Sequence, residues 1–224
     1  GLTNGQTYYY VVAATEGSNT GPDSNEVSAT PILAPPTNLV ATPGNNRVTL
    51  TWTASPSVGV GEYKIKRSTT GGGPYTQVGT STDTLHYDDT AVNNTTYYYV
   101  VTAADGSEQS ANSNEAVAQP IPPPGQVTGL TATAGNRSVT LNWVAVPTAT
   151  QYNVKWSATE NGTFTVVRTV YIPATTQSFT IDNGRTDWFR VSASNGSGEG
   201  DNSLKVSATP RLPAPVITGR ALNN

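Results

Sequence analysis

Short runs of alternating apolar and polar residues dominate the chain. In Val48-Thr49-Leu50-Thr51-Trp52, the residues Val48, Leu50 and Trp52 share one face and the threonines the other. A period of two is the mark of a strand buried on one side. Seven such runs are predicted in one stretch: Leu39–Ala41, Val48–Trp52, Tyr63–Lys66, Tyr75–Val78, Leu85–Tyr87, Tyr97–Ala103 and Glu115–Ala118. Gly, Asn and Pro clusters separate them, and helix signals are nearly absent. A second stretch repeats the plan. Val139, Leu141 and Trp143 match the first inward set, and Tyr152, Val154 and Trp156 follow. Phe179, Ile181, Phe189, Val191 and Ala193 come next, and Leu204, Val206 and Ala208 close the series. Short strands at this density predict an all-β fold, a sandwich of two antiparallel sheets per stretch.

The pattern is duplicated at the level of residues. Thr7-Tyr8-Tyr9-Tyr10-Val11-Val12 recurs as Thr96-Tyr97-Tyr98-Tyr99-Val100-Val101, and a divergent copy stands at Thr186-Asp187-Trp188-Phe189-Arg190-Val191. Trp52 and Trp143 lie about 90 positions apart, as do Pro31, Pro120 and Pro210. That period is too long for stacked solenoid repeats and long enough for small independent domains. The boundaries expected are a partial unit at 1–31, units at 34–120 and 124–210, and the start of a further unit at 213–224. The partial unit supplies two strands, too few to stand alone. Its partners are expected upstream, so the chain reads as an excerpt of a longer protein. Ala34-Pro35-Pro36 and Ile121-Pro122-Pro123-Pro124 read as extended linkers that set the units end to end, and their prolines discourage pairing at sheet edges.

Composition narrows the functional classes. Twelve basic and 15 acidic residues give a net charge of −3. Neither a basic stripe for nucleic acid nor a basic amphipathic stretch for a membrane surface is present, and no apolar run is long enough for membrane insertion. Without cysteine there is no disulfide framework, thiolate metal site or cysteine nucleophile.

The proline-led first strands, Val48-x-Leu50-x-Trp52, Val139-x-Leu141-x-Trp143, Asn4-Gly5-Gln6-Thr7-Tyr8 and Ser24-Asn25-Glu26-Val27-Ser28-Ala29-Thr30-Pro31 carry a resemblance. With them the chain resembles a tandem of fibronectin type III domains of bacterial extracellular style. The resemblance implies seven-stranded immunoglobulin-like sandwiches and a secreted or surface-attached location. It also implies a tyrosine at the start of the sixth strand that hydrogen-bonds the preceding corner. That role falls on Tyr8 and Tyr97. Asp187 takes the position in the third copy, where a carboxylate accepting backbone N–H bonds, or a looser corner, is expected.

Chemistry has little to build on. His86 stands beside Asp88 and Asp89 without a nucleophile motif, and reads as a half-exposed strand residue between inward Leu85 and Tyr87. Asp88-Asp89 and Glu199-Gly200-Asp201 lack calcium-loop spacing and read as solvated turns. Gly71-Gly72-Gly73 and Gly196-Ser197-Gly198 lack the lysine and helix of a phosphate cradle and read as hairpin loops. The Asn-x-Ser/Thr triplets at Asn94, Asn136, Asn161 and Asn195 follow from composition. No catalytic residue, metal ligand or cofactor is expected, and the chain is not expected to be an enzyme.

The best binding candidates are outward aromatics: Tyr9, Tyr98 and Trp188, with Lys66 and Lys155 on the neighbouring strands. They suit either a docking platform or cross-strand pairs in which a lysine covers a ring. Two functions stay open. One is a spacer or stalk in a larger extracellular protein, its partners being neighbouring domains of the same polypeptide. The other is a binding module for polysaccharide, another protein or further copies of the chain, as in a filament or adhesin.

Overall fold

The computed structural model describes residues 2–106 and 108–215. From Val216 onward the expected start of a further unit lies outside the described residues. The chain divides into two compact units, Gly1–Pro120 and Ile121–Asn224. Among the described residues every regular element is a strand.

The first unit opens with β1 (Tyr8–Tyr10), β2 (Thr15–Glu16), β3 (Asn19–Thr20) and β4 (Val27–Ala29). β1 pairs with β4, and β2 with β3. These ribbons have no second layer: Tyr10 is 40% and Val12 74% exposed on the face that alternation aims at a core. A complete sandwich follows: β5 (Thr37–Gly44), β6 (Arg47–Thr53), β7 (Glu62–Ser68), β8 (Thr76–Ser81), β9 (Leu85–Asp88), β10 (Tyr97–Asp105), β11 (Glu108–Gln109) and β12 (Ala116–Ala118). One sheet has the order β5-β6-β9; in the other β7 lies between β8 and β10, and β11 and β12 share the far edge of β10. Val48, Leu50 and Trp52 face Tyr63, Ile65, Tyr99 and Val101 across the core. Trp52 meets Tyr63 edge-on at 5.5 Å.

The second unit repeats this topology with β13 (Thr131–Gly135), β14 (Ser138–Asn142), β15 (Gln151–Ser157), β16 (Thr165–Tyr171), β17 (Thr176–Thr180), β18 (Asp187–Asn195), β19 (Gly198–Glu199) and β20 (Val206–Ala208). Trp143 meets Tyr152 edge-on at 5.4 Å, so the two inward tryptophans hold the same place in both copies.

Two local devices recur in all three copies. Gly5, Asn94 and Gly184 have positive φ, a conformation that Gly adopts freely and Asn tolerates. It turns their N–H groups onto the carbonyls of Pro31, Pro120 and Pro210 at 2.7–2.8 Å. The hydroxyls of Ser24, Ser113 and Ser203 accept the N–H of Val12, Val101 and Val191 at 2.9–3.1 Å. Each serine thereby fastens the last strand of its copy to the long strand beside it.

Two expectations are corrected. In β9 the apolar residues point outward: Leu85 is 39% and Tyr87 48% exposed, while Asp88 is buried. The register explains this. Core-facing Val48 and Leu50 lie directly opposite Asp88 and His86, and directly opposed residues share a face. Asp88 is therefore part of the interior and not of a solvated turn. The proline stretches also make contacts of their own. Pro124 is held close by backbone contact with Gly200, and Asn195 Nδ2 donates to the Pro122 carbonyl at 2.9 Å. Ala34 is tied at its N–H and its carbonyl by Ser57 and Ser55.

Candidate binding cleft

Two of the three outward aromatics, Tyr98 and Trp188, are engaged. Tyr9 on β1 is 66% exposed, opposite Ser28. Tyr98 is half-buried, opposite Ser68 and Val117, with its ring over Gly71. Trp188 is half-buried, and the ammonium covering it is that of Lys205, 5.5 Å from the ring centre. Neither expected lysine does this. Lys155 donates to Asn202 Oδ1 at 2.7 Å and pairs with Glu199 at 2.8 Å. Lys66 lies opposite Val100, two places from the partner of Tyr98. Lys155, followed by Ser192, holds the Glu199 carboxyl below its ordinary value.

The corners separate the copies. Tyr8 accepts the Thr3 N–H at 2.7 Å and Tyr97 the Val92 N–H at 3.2 Å, each five residues back. Asp187 has no backbone donor among its hydrogen bonds. It is fully buried; Arg185 Nε donates to Oδ1 at 2.9 Å, and Oδ2 has no partner. An orphan buried acceptor costs about 1–3 kcal/mol.

Behind each corner the copies exchange chemistry. In the first unit the Asp88 carboxylate accepts Arg67 Nη1 at 2.8 Å, the Thr90 N–H at 3.0 Å, the Thr90 hydroxyl at 2.7 Å and the Tyr99 hydroxyl at 2.9 Å. Burial works to raise its pKa. Thr90, Tyr99 and Arg67 outweigh burial and hold the carboxyl below its ordinary value. Burial and then Asp88 push the Tyr99 phenol up. Strand register gives the equivalents in the second unit. Val48 faces Asp88 as Val139 faces Phe179, and Tyr99 faces Arg67 as Phe189 faces Trp156. The polar triangle Arg67–Asp88–Tyr99 is thus replaced by Trp156–Phe179–Phe189. Phe179 and Phe189 stack at 5.8 Å.

The exchanged residues line a cleft between the edges of β16 and β17. It has a volume of about 330 Å³, with Trp156, Phe179 and Phe189 on its walls, Val167 at its rim, and Arg185 and Asp187 at one end. Arg185 also lies over the Trp156 ring at 5.2 Å. The first unit has a cleft at the same edge, lined by Arg67, Tyr97 and Val78. There the Arg67 guanidinium is fixed by Asp88 and Thr90 and covers Tyr97 at 4.6 Å. The sequence names Trp156, Phe179, Phe189 and Asp187 singly but does not group them, because they lie on three strands, β15, β17 and β18. The correlated exchange at three equivalent positions was the available signal.

His86 sits against Gly79, and its neighbour Asp88 is committed to Arg67 and Tyr99. Among the described residues no cluster of three or more His, Asp or Glu forms a metal site. No helix there is long and apolar enough to cross a membrane.

No family profile matches the chain. An amylopullulanase from Thermoanaerobacterium thermosulfurigenes is 31% identical over 158 residues, which are 70% of this chain and 8% of that protein. The chain therefore spans a small fraction of its curated relative. Among solved structures, the FN1–FN3 domains of chicken CNTN1 superpose with a TM-score of 0.64 at 20% identity, over 94% of this chain and 78% of theirs. A Fn3-like protein from Clostridium thermocellum is 42% identical over 39% of this chain and 92% of its own, with a TM-score of 0.37. With two sandwiches of one topology, corner tyrosines and this likeness in fold, the chain is a tandem of fibronectin type III domains.

Proposed function

We propose that the chain is a non-catalytic spacer segment of a larger, secreted or surface-attached bacterial protein that acts on polysaccharide. The observation that carries this reading is the likeness of most of the chain to 8% of an amylopullulanase. It fits an accessory segment repeated beside a much larger remainder. The engaged state of Tyr98, Trp188, Lys155 and Glu199 agrees with it, since polar and aromatic groups on the sheet faces are spent within each domain. The prolines pinned to their own sandwiches leave short connections, which suits a spacer. The partners in this reading are neighbouring domains of the same polypeptide.

The test is replacement within the longer protein. Residues 34–210 are exchanged for two unrelated β-sandwich domains of equal length. The spacer reading expects unchanged hydrolysis of polymeric substrate. Loss of activity on polymer, with activity on a short soluble fragment kept, would overturn it.

A further inference from the structure

We propose that the cleft between β16 and β17 of the second unit is a saccharide site that takes a glucose unit of an α-glucan chain. Its volume of about 330 Å³ falls at the lower end of the roughly 300–1,000 Å³ of small-ligand sites. Its walls are aromatic, and the C–H faces of a pyranose ring stack on such surfaces.

The polar groups favour a neutral occupant with hydroxyls. Asp187 is paired with Arg185, and Asp182 at the mouth with Arg137 at 3.2 Å. A charged ligand would find both carboxylates already neutralised. The fully buried Asp187 still has one oxygen without a donor. That oxygen is closed off from water, and the half-exposed Arg185 side chain lies beside it. A ligand hydroxyl that reaches this second oxygen, with the Arg185 bond to the first one kept, would supply the missing hydrogen bond. Only Nε of the half-exposed Arg185 is used by Asp187, so its outer guanidinium nitrogens face a second ligand hydroxyl. The first unit has a cleft of about 430 Å³ at the same edge, but there Arg67 is held by Asp88 and Thr90 and the buried carboxylate has its donors.

The choice of an α-glucan rests on the amylopullulanase likeness used for the spacer reading; the cleft itself rests on geometry alone. Titration calorimetry of the 224-residue chain with maltoheptaose tests it. Saturable binding is expected, weakened at least about tenfold, or 1.4 kcal/mol, by Asp187→Tyr, which removes the unpartnered carboxylate oxygen offered to the ligand. Val167→Arg, at an exposed rim position, should weaken it equally without touching the core. Trp188→Ala, on the opposite face of β18, should leave it unchanged. Absence of binding by the unaltered chain overturns the proposal. So does binding that survives both cleft variants, or that is lost only with Trp188→Ala. The failures are distinguishable: absent maltoheptaose binding overturns the cleft and leaves the spacer reading standing, whereas loss of activity on polymer after domain replacement overturns the spacer reading alone.

Discussion

Removing Arg67 should unfold the first sandwich at a much lower temperature, whereas replacing its whole polar triangle should not. The Asp88 side chain is 2% exposed and that of Arg67 21%. Arg67→Ala deletes one charge-assisted hydrogen bond to Asp88, worth about 1.5–3 kcal/mol. It also deletes the guanidinium stacked on Tyr97, worth about 0.5–2 kcal/mol. Asp88 keeps its bonds from Thr90 and Tyr99, so the loss falls near the lower end of the roughly 3–5 kcal/mol typical of a broken buried pair. For a domain of this size, 3 kcal/mol corresponds to roughly 12–24 °C in Tm. The second unit supplies the control. Arg67→Trp, Asp88→Phe and Tyr99→Phe together install the arrangement of Trp156, Phe179 and Phe189. Well-packed apolar replacements of buried ion pairs are often neutral or stabilising by about 1–4 kcal/mol. Scanning calorimetry of the whole chain reads both results, because only the transition of the first unit should move. An Arg67→Ala shift below about 4 °C, against 4–8 °C per kcal/mol, would refute the energetic role of the pair. A triple variant as unstable as the single one would refute the equivalence of the two triangles.

Acid should act on the first unit through Asp88. Its folded pKa is depressed, so its contribution is present above the unfolded value near 3.9 and is lost as pH falls through the folded one. Calorimetry between neutral pH and about pH 2.5 should show a falling Tm for that unit, and Asp88→Asn should flatten the fall. Tyr97→Phe removes the bond from the Val92 N–H and should cost the first unit about 0.5–1.5 kcal/mol in urea unfolding. Asp187→Tyr removes the orphan carboxylate oxygen and supplies a corner phenol. It should raise the stability of the second unit by about 1–2 kcal/mol, and an unchanged or lower melting temperature counts against that account.

Alternation along the chain was enough to read the strands, the repeat and the inward tryptophans, because each is set within a few residues. It failed on β9 for a physical reason. Leu85 and Tyr87 are apolar yet point outward, and buried Asp88 is polar. What allows Asp88 inside is a set of donors from Arg67 on β7 and Tyr99 on β10, which a local pattern does not contain. The loss of the corner tyrosine at Asp187 was legible by counting; its actual partner, Arg185, was not, since a backbone donor was equally consistent with the sequence. The lysine over Trp188 was misassigned because two cations compete nearby. Lys155 is drawn to Glu199, and Lys205, just before β20, takes the ring. The cleft exists only once β15, β17 and β18 are brought together.

The two sandwiches fill the same buried triangle with different chemistry, and this places their weaknesses under different conditions. The first unit depends on a carboxylate that must stay ionised while surrounded by its donors. Its triangle is fully satisfied at neutral pH and loses that advantage in acid. The aromatic triangle of the second unit has no ionisable group, so acid has no purchase on it at that place. Its cost lies one residue pair away, in the unpartnered oxygen of Asp187, and that cost is already present at neutral pH. The same substitution that removes the cost, Asp187→Tyr, also removes the acceptor that a ligand hydroxyl would use. A copy serving only as a spacer gains nothing from leaving that oxygen unpartnered. The coupling between an avoidable loss of stability and an open aromatic cleft is therefore the reason to test the second unit, rather than the first, for a bound saccharide.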